Sequence, residues 1–218
     1  MQHFNLDRVL PENAEILCIG AHSDDIEIGA GGTLTRLLRM RQDLSVTWVV
    51  CTASGVREQE ALASAKTLLA NSRSNRVVIE TFRNGYFPYV GAAIKEFFET
   101  LKDLPQPDLI LTHCEHDRHQ DHRVVSELTR NTFRDHCILE YEIPKYDGDL
   151  QTPNAYFSLT PDDLAAKVAS LLTNFSSQHD KTWFTAQTFE SLARLRGNEC
   201  NSQTGFAEGF YCRKFVLG

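Results

Sequence analysis

Four short apolar runs, residues 15–20, 45–52, 76–80 and 108–112, alternate with stretches of helix-forming composition, and this alternation limits the architectures open to the chain. Runs of this length, rich in Val, Ile and Thr, read as strands. Residues 33–38, 57–70 and 92–104 carry good helix formers or apolar side chains at helical spacing. Pro105 and Pro107 close the third of these, because proline lacks an N–H and clashes with the preceding turn. Strands joined by helices favour parallel pairing with crossover connections, so the expected class is α/β, a Rossmann-like, doubly wound, mainly parallel sheet flanked by helices. Further on, residues 120–132, 162–173 and 185–195 read as helices, 137–143 as a strand, 144–149 as a loop and 207–212 as weakly strand-like. No repeat, low-complexity tract or linker interrupts the 218 residues, which a single core can organise as one domain, 1–218.

The formal charge of −7 argues against a general nucleic-acid binder, which carries a basic excess, but leaves room for a local basic pocket that takes an anionic small molecule. No stretch reaches the roughly 20 apolar residues that span a bilayer. Residues 1–10 lack the basic segment and apolar run of a secretory signal. The six cysteines contain no C-x-x-C pair, and Cys18, Cys51 and Cys114 fall in or beside apolar runs, as reduced thiols do. A cytoplasmic location is the expectation.

Two of the strands end in polar clusters. Ala21-His22-Ser23-Asp24-Asp25 follows the first run, and His113-Cys114-Glu115-His116-Asp117-Arg118-His119-Gln120-Asp121-His122-Arg123 follows the fourth. Ligands of open α/β sheets bind beyond the carboxyl ends of the strands, so both clusters should emerge on one edge. Imidazole and carboxylate are the nitrogen and oxygen ligands that suit zinc and its neighbours. Each cluster also has an ordinary reading. Ser23-Asp24-Asp25 can start the next helix, and the histidine-rich segment can be a solvated loop. A Gly-rich turn at Gly29-Ala30-Gly31-Gly32 is expected before the helix at 33–38. It is a poor dinucleotide loop, because it does not directly follow the strand and Asp24 and Asp25 would repel a pyrophosphate. Asp121 can orient a neighbouring imidazole. His3, His136 and His179 lack such neighbours and are read as structural or surface residues.

These residues resemble the PIG-L/LmbE-like family of zinc-dependent N-acetylglucosamine deacetylases, whose members carry A-H-P-D-D and, further on, H-x-D-H. Here the matching segments are Ala21-His22-Ser23-Asp24-Asp25 and His119-Gln120-Asp121-His122, with Gly29, Gly31, Gly32 and Thr33 in register. The likeness extends through Arg57-Glu58-Gln59-Glu60, Asn84-Gly85, Tyr141-Glu142-Ile143-Pro144, Ser177-Gln178 and Ala207-Glu208. The resemblance implies His22, Asp25 and His122 as ligands of Zn2+ (or another divalent transition metal), Asp24 as general base and His119 as the protonated partner of the oxyanion or leaving amine. It further implies that Asp121 holds His119 and that Arg57 and Asn84 lie in the substrate pocket. His113 and His116 become loop residues or supports behind the ligands. Arg57 also has an ordinary reading, a helix-start ion pair with Glu60. Ser23 stands where the family has Pro, which removes a stiff φ angle between His22 and Asp24. Relatives often assemble as trimers or hexamers, so a homo-oligomer is implied.

Two imidazoles and a carboxylate would leave a metal with net positive charge and open positions for water. The expected activity is hydrolysis of the N-acetyl group of an N-acetylglucosamine-type sugar or glycoconjugate through a zinc-bound water. The alternatives are another metal-dependent amidase or esterase, or a catalytically idle metal-binding protein.

Overall fold

The structure, a computed structural model, describes residues 4–216; His3 lies outside them. After a single helical turn, α1 (Leu6–Val9), the chain runs through β1 (Glu15–His22), α2 (Asp25–Met40), β2 (Ser45–Thr52), α3 (Val56–Leu68), β3 (Ser74–Ile79), α4 (Gly91–Thr100), β4 (Leu109–His113), α5 (Gln120–Thr132) and β5 (Ile138–Tyr141). It continues through β6 (Ala155–Leu159), α6 (Pro161–Asn174), α7 (Ala186–Glu199) and β7 (Phe206–Cys212). One sheet forms, in the order β3-β2-β1-β4-β5-β7-β6, with β1 to β5 parallel and β7 antiparallel to both neighbours. All six cysteines are free. No helix among the described residues is long and apolar enough to cross a membrane.

The period-2 alternation of the strands builds a core on each face. Ile16, Cys18, Val46, Trp48, Val50, Leu109 and Leu111 pack with α2, α3, α6 and α7, while Leu17, Ile19, Val49, Cys51 and Ile110 pack with α4 and α5. Burial on both faces is why these strands read as continuous apolar runs. The strand order reverses between β1 and β4, with α2 leaving on one face and α5 on the other. This switch point is where doubly wound sheets bind ligands. The β1–β4 ladder ends at Cys18↔Leu111. Beyond it, the Tyr141 hydroxyl donates to the Ile19 carbonyl (2.8 Å) and the Ala21 N–H donates to His113 Nε2 (3.0 Å). Side chains thus satisfy the Ile19 carbonyl and the Ala21 N–H, two backbone groups that the parting strands release.

Two features differ from the sequence-based expectation. The Gly-rich turn expected after β1 does not form: the two-residue turn Ser23-Asp24 leads straight into α2 at Asp25, and Gly29, Gly31 and Gly32 lie inside that helix. A Cβ on Gly29 would collide with the Tyr141 ring, and one on Gly32 would press into Leu159. These glycines permit close helix-to-sheet packing, which offsets their poor helix propensity. The helix is also cross-braced there. Glu208 accepts from the N–H groups of Gly32 (2.9 Å) and Thr33 (2.7 Å), and Lys167 donates to the Ile28 carbonyl and to Glu208 (2.6 Å each). The second difference is β6, which the sequence pattern does not announce. It is a half-exposed edge strand paired only with β7, some fifty residues later. That pairing makes the weakly strand-like end of the chain an interior strand.

Candidate metal centre

The sharp exit from β1 puts His22 on its last residue and Asp24 and Asp25 at the start of α2, all nearly buried. Asp25 folds back, so that its carboxylate accepts from the His22 N–H (2.6 Å). From β4, His113 ends the strand, and a short loop leads to His119, the N-cap of α5, whose Nδ1 accepts from the Asp121 N–H (3.2 Å). One turn of α5 then carries His122 over β1.

The implied ligands converge. His22 Nδ1 lies 3.1 Å from His122 Nε2 and 3.2 Å from Asp25 Oδ2, and His122 Nε2 lies 3.5 Å from Asp25 Oδ1. Zinc bonds of about 2.0–2.1 Å at tetrahedral angles separate ligand atoms by about 3.3 Å, so the spacing fits. The proton positions fit as well. His22 Nε2 faces two acceptors, Asn84 Oδ1 (3.1 Å) and Asp121 Oδ2 (3.3 Å), and so carries the hydrogen. His122 Nδ1 faces Asp117 Oδ2 (2.8 Å) and carries its hydrogen there. Each neutral ring therefore aims a lone pair at the other and at an ionised carboxylate, an arrangement that calls for a cation between them.

The charge balance agrees. Burial alone would lower both histidines, but Asp25 and the bonded carboxylates overcome it. His22 is raised, and His122 is pushed up to about 10. Asp25 is held well below its ordinary range, since His122, His113 and His22 outweigh its burial. Without a metal, this site binds a proton in its place.

Asp24 is oriented differently. Its Oδ1 accepts from Arg57 Nη2 (2.8 Å), and no ligand atom meets it. Burial and the Asp25 charge raise its pKa despite Arg57 and His22, as suits a base that must hold a proton in mid-reaction. Ser23 gains an explanation: its hydroxyl accepts from Arg57 Nε (2.9 Å), so Ser23 and Asp24 grip one guanidinium together. The ion pair of Arg57 with Glu60 does not form. Glu60 accepts instead from the Ser177 N–H (2.8 Å) and from the Ser176 and Ser177 hydroxyls.

Three other residues surround the cradle. Asp121 spends its carboxylate on the N–H groups of Gly85 (2.6 Å) and Phe87 (3.1 Å) and on His22, and meets His119 only through its backbone N–H. It clamps the loop after β3 onto the centre. Asn84 rests on the edge of the His22 ring. Burial and the nearby His122 and His22 charges push His119 down to about 4, and its Nδ1 is taken up by the Asp121 N–H.

Of the two places open to His113, loop or support behind the ligands, it takes the second, at the end of β4. It is fully buried, stacks on His122 with ring centroids 3.9 Å apart and has Nε2 3.0 Å from Asp25 Oδ2. It falls with Asp25 and His122 into one group of candidate ligand atoms within 4.8 Å, and His22, His119 and His122 form another. His116 points outward beside Glu115. The residue that sequence reasoning passed over is Asp117. It holds His122 Nδ1, accepts from the His119 N–H (2.7 Å) and is itself paired to Lys145 (3.0 Å), which also binds Asp149 (2.6 Å). The available signal was a carboxylate inside the histidine-rich cluster.

The fold recurs in solved structures. N,N'-diacetylchitobiose deacetylase from Pyrococcus horikoshii aligns with TM-score 0.71 at 20% identity, covering 92% of this chain and 84% of that one. A conserved protein from Thermus thermophilus aligns with TM-score 0.74 at 20% identity, covering 94% and 97%. GalB, a 4-carboxy-2-hydroxymuconate hydratase from Pseudomonas putida, aligns with TM-score 0.72 at 16% identity, covering 94% and 98%. The architecture thus serves more than one reaction, and the sequence match is the narrower finding. Residues 17–133, which hold both polar clusters, match the family model for PIG-L, GlcNAc-PI de-N-acetylase. With more than half of its length so matched, the chain belongs to the PIG-L family.

Proposed function

We propose that the protein is a metal-dependent hydrolase that removes the N-acetyl group from an N-acetylglucosamine-type sugar or glycoconjugate. The observation that carries this reading is the pairing of a three-lone-pair cradle, His22, Asp25 and His122, with a buried carboxylate beside it, Asp24, that the cradle does not use. The donor set suits zinc, and iron or cobalt could occupy the same atoms. A bound metal would supply Lewis acidity, acidifying water and polarising an amide carbonyl.

The chain's own groups account for the proton transfers. Asp24 takes a proton from the attacking water as its oxygen bonds to the carbonyl carbon, and its raised pKa lets it hold that proton. His119 donates its Nε2–H to the carbonyl oxygen as charge develops there, because its Nδ1 is already an acceptor. Asp24 then returns the proton to the nitrogen, the C–N bond breaks, and acetate and a free amine result. Arg57 keeps Asp24 aimed and has hydrogen-bond capacity left for a sugar hydroxyl or an anionic substituent. The acetamido sugar rests on the family and on the deacetylase among the structural neighbours. The free cysteines fit a reducing, cytoplasmic setting.

The test is acetate release from a panel of N-acetylglucosamine derivatives by the metal-loaded protein and by Asp24→Asn. Activity that falls by roughly 10²–10⁴-fold in the variant at unchanged metal content supports the reading. Preferential turnover of simple esters, or full activity of Asp24→Asn, would replace it.

A further inference from the structure

At the opposite end of α5 lies a second cavity, of about 490 Å³. That volume is within the range of small-molecule sites. His122, near the start of α5, is ten residues from its last residue, Thr132, so the cavity is roughly 15 Å along the helix axis from the metal centre. The acidic chain concentrates positive charge there. Arg130, Arg134, Arg213 and Lys214 line the cavity, against one lining carboxylate, Glu127.

Local partners leave that charge in excess. Arg130 and Arg213 both donate to the same oxygen of Glu115, the latter at 2.6 Å, and Arg130 also faces Glu140 at 3.7 Å, which leaves Arg134 and Lys214 with no ion-pair partner among the described residues. Arg134 donates through Nε to the Asn131 carbonyl (3.2 Å), and Lys214 donates to the Arg134 carbonyl. The Arg134 contact caps a carbonyl at the electronegative end of α5, and Lys214 binds just beyond it. The two contacts use one donor of each side chain, and among the described residues the forked nitrogens of Arg134 and the remaining ammonium protons meet no other acceptor. Phe133 and Ile138 give the cavity an apolar wall.

We propose that this cavity is a binding site for a phosphorylated small molecule, separate from the metal centre. Guanidinium groups match phosphate oxygens in forked pairs, and several cations on one cavity select a di-anionic or more highly charged group over a carboxylate.

The experiment is isothermal titration of the metal-loaded protein with inorganic pyrophosphate and, separately, with UDP at low ionic strength. Three forms are compared: the unaltered protein, Arg213→Gln/Lys214→Gln, and Lys66→Gln/Arg76→Gln as a control with the same charge change elsewhere. Both cavity substitutions are on exposed residues that follow β7, and deacetylation by that variant should be unchanged, which checks its fold. Binding weakened at least ~tenfold in the cavity variant and unaltered in the control is expected. If both ligands bind, the site recognises the phosphates themselves; if only UDP binds, the nucleoside is also held. Binding unchanged in the cavity variant, including binding that chelation of the metal abolishes, would overturn the proposal. So would weakening shared equally with the control, or no binding of either compound at millimolar concentration.

Discussion

Asp117→Asn tests the support of the metal centre without touching a ligand. Asp117 accepts from three donors at once: His122 Nδ1 at 2.8 Å, the His119 N–H at 2.7 Å and Lys145 Nζ at 3.0 Å. An asparagine of the same shape has only one acceptor oxygen, so one side of this network must meet an amide N–H. If the amide nitrogen faces His122, the ring is driven to the tautomer with hydrogen on Nε2, which aims a proton where a lone pair is needed. If it faces Lys145 and His119, the N-cap of α5 loosens. Losing such a partner typically weakens metal affinity by about 10–100-fold, or roughly 1.4–2.8 kcal/mol. The change would be read by competition with a chromophoric chelator near neutral pH, with thermal unfolding of the metal-free protein as the fold check. The pH dependence adds a signature. The metal must displace the proton held by His122, whose pKa is about 10, so affinity in the unaltered protein should climb by about a decade per pH unit below that value. Asp117 helps hold that proton, so in the variant the climb should level off at a lower pH. An affinity within about twofold of the unaltered protein, with the same pH profile, would refute the role given to Asp117.

Ser23→Ala removes the hydroxyl that accepts from Arg57 and leaves the ligands alone. It should cost about 1 kcal/mol, a roughly fivefold drop in kcat/KM, at unchanged metal content; loss of metal would contradict it. Lys167→Met strips the buried partner from Glu208, and denaturant unfolding should show a loss of about 3–5 kcal/mol, partly recovered in Lys167→Met/Glu208→Gln. A neutral single variant would mean that the pair does not brace α2. Burial pushes Glu140 up to about 7, so the native state binds its proton more tightly than the unfolded chain does. The corresponding stability is full below the ordinary carboxylate pKa and is lost as pH rises toward about 7. Glu140→Gln should flatten that decline and leave the protein more stable near pH 8, by up to ~3 kcal/mol. Parallel stability profiles for the two proteins would count against it.

The strands that bracket the centre are legible in the sequence because both their faces are buried. Nothing polar interrupts Ile16 to Ile19 or Leu109 to Leu111, and the polar clusters that follow announce the switch point. What the sequence conceals depends on contacts between distant segments. Gly29 and Gly32 look like turn residues until Tyr141 and Leu159 are seen against them. The strand at Ala155–Leu159 is half-exposed, and its pairing partner arrives only after two helices. The site divides in the same way. His22, Asp25 and His122 are singled out by the resemblance, and the fold sets them side by side. His113 is left between loop residue and support, because its burial follows from the point where β1 and β4 part. Ser23 and Arg57 likewise meet only through the packing of α3 beside the start of α2.

The central claim is that His22, Asp25 and His122 hold a metal on which amide hydrolysis depends. Its most direct measurement is zinc titration into chelator-stripped protein while acetate release from an N-acetylglucosamine derivative is followed. Activity should rise in proportion to zinc and level off near about one equivalent, with His122→Ala binding little metal and staying inactive throughout. Full activity in the stripped protein, or stoichiometric zinc in His122→Ala, would contradict the account.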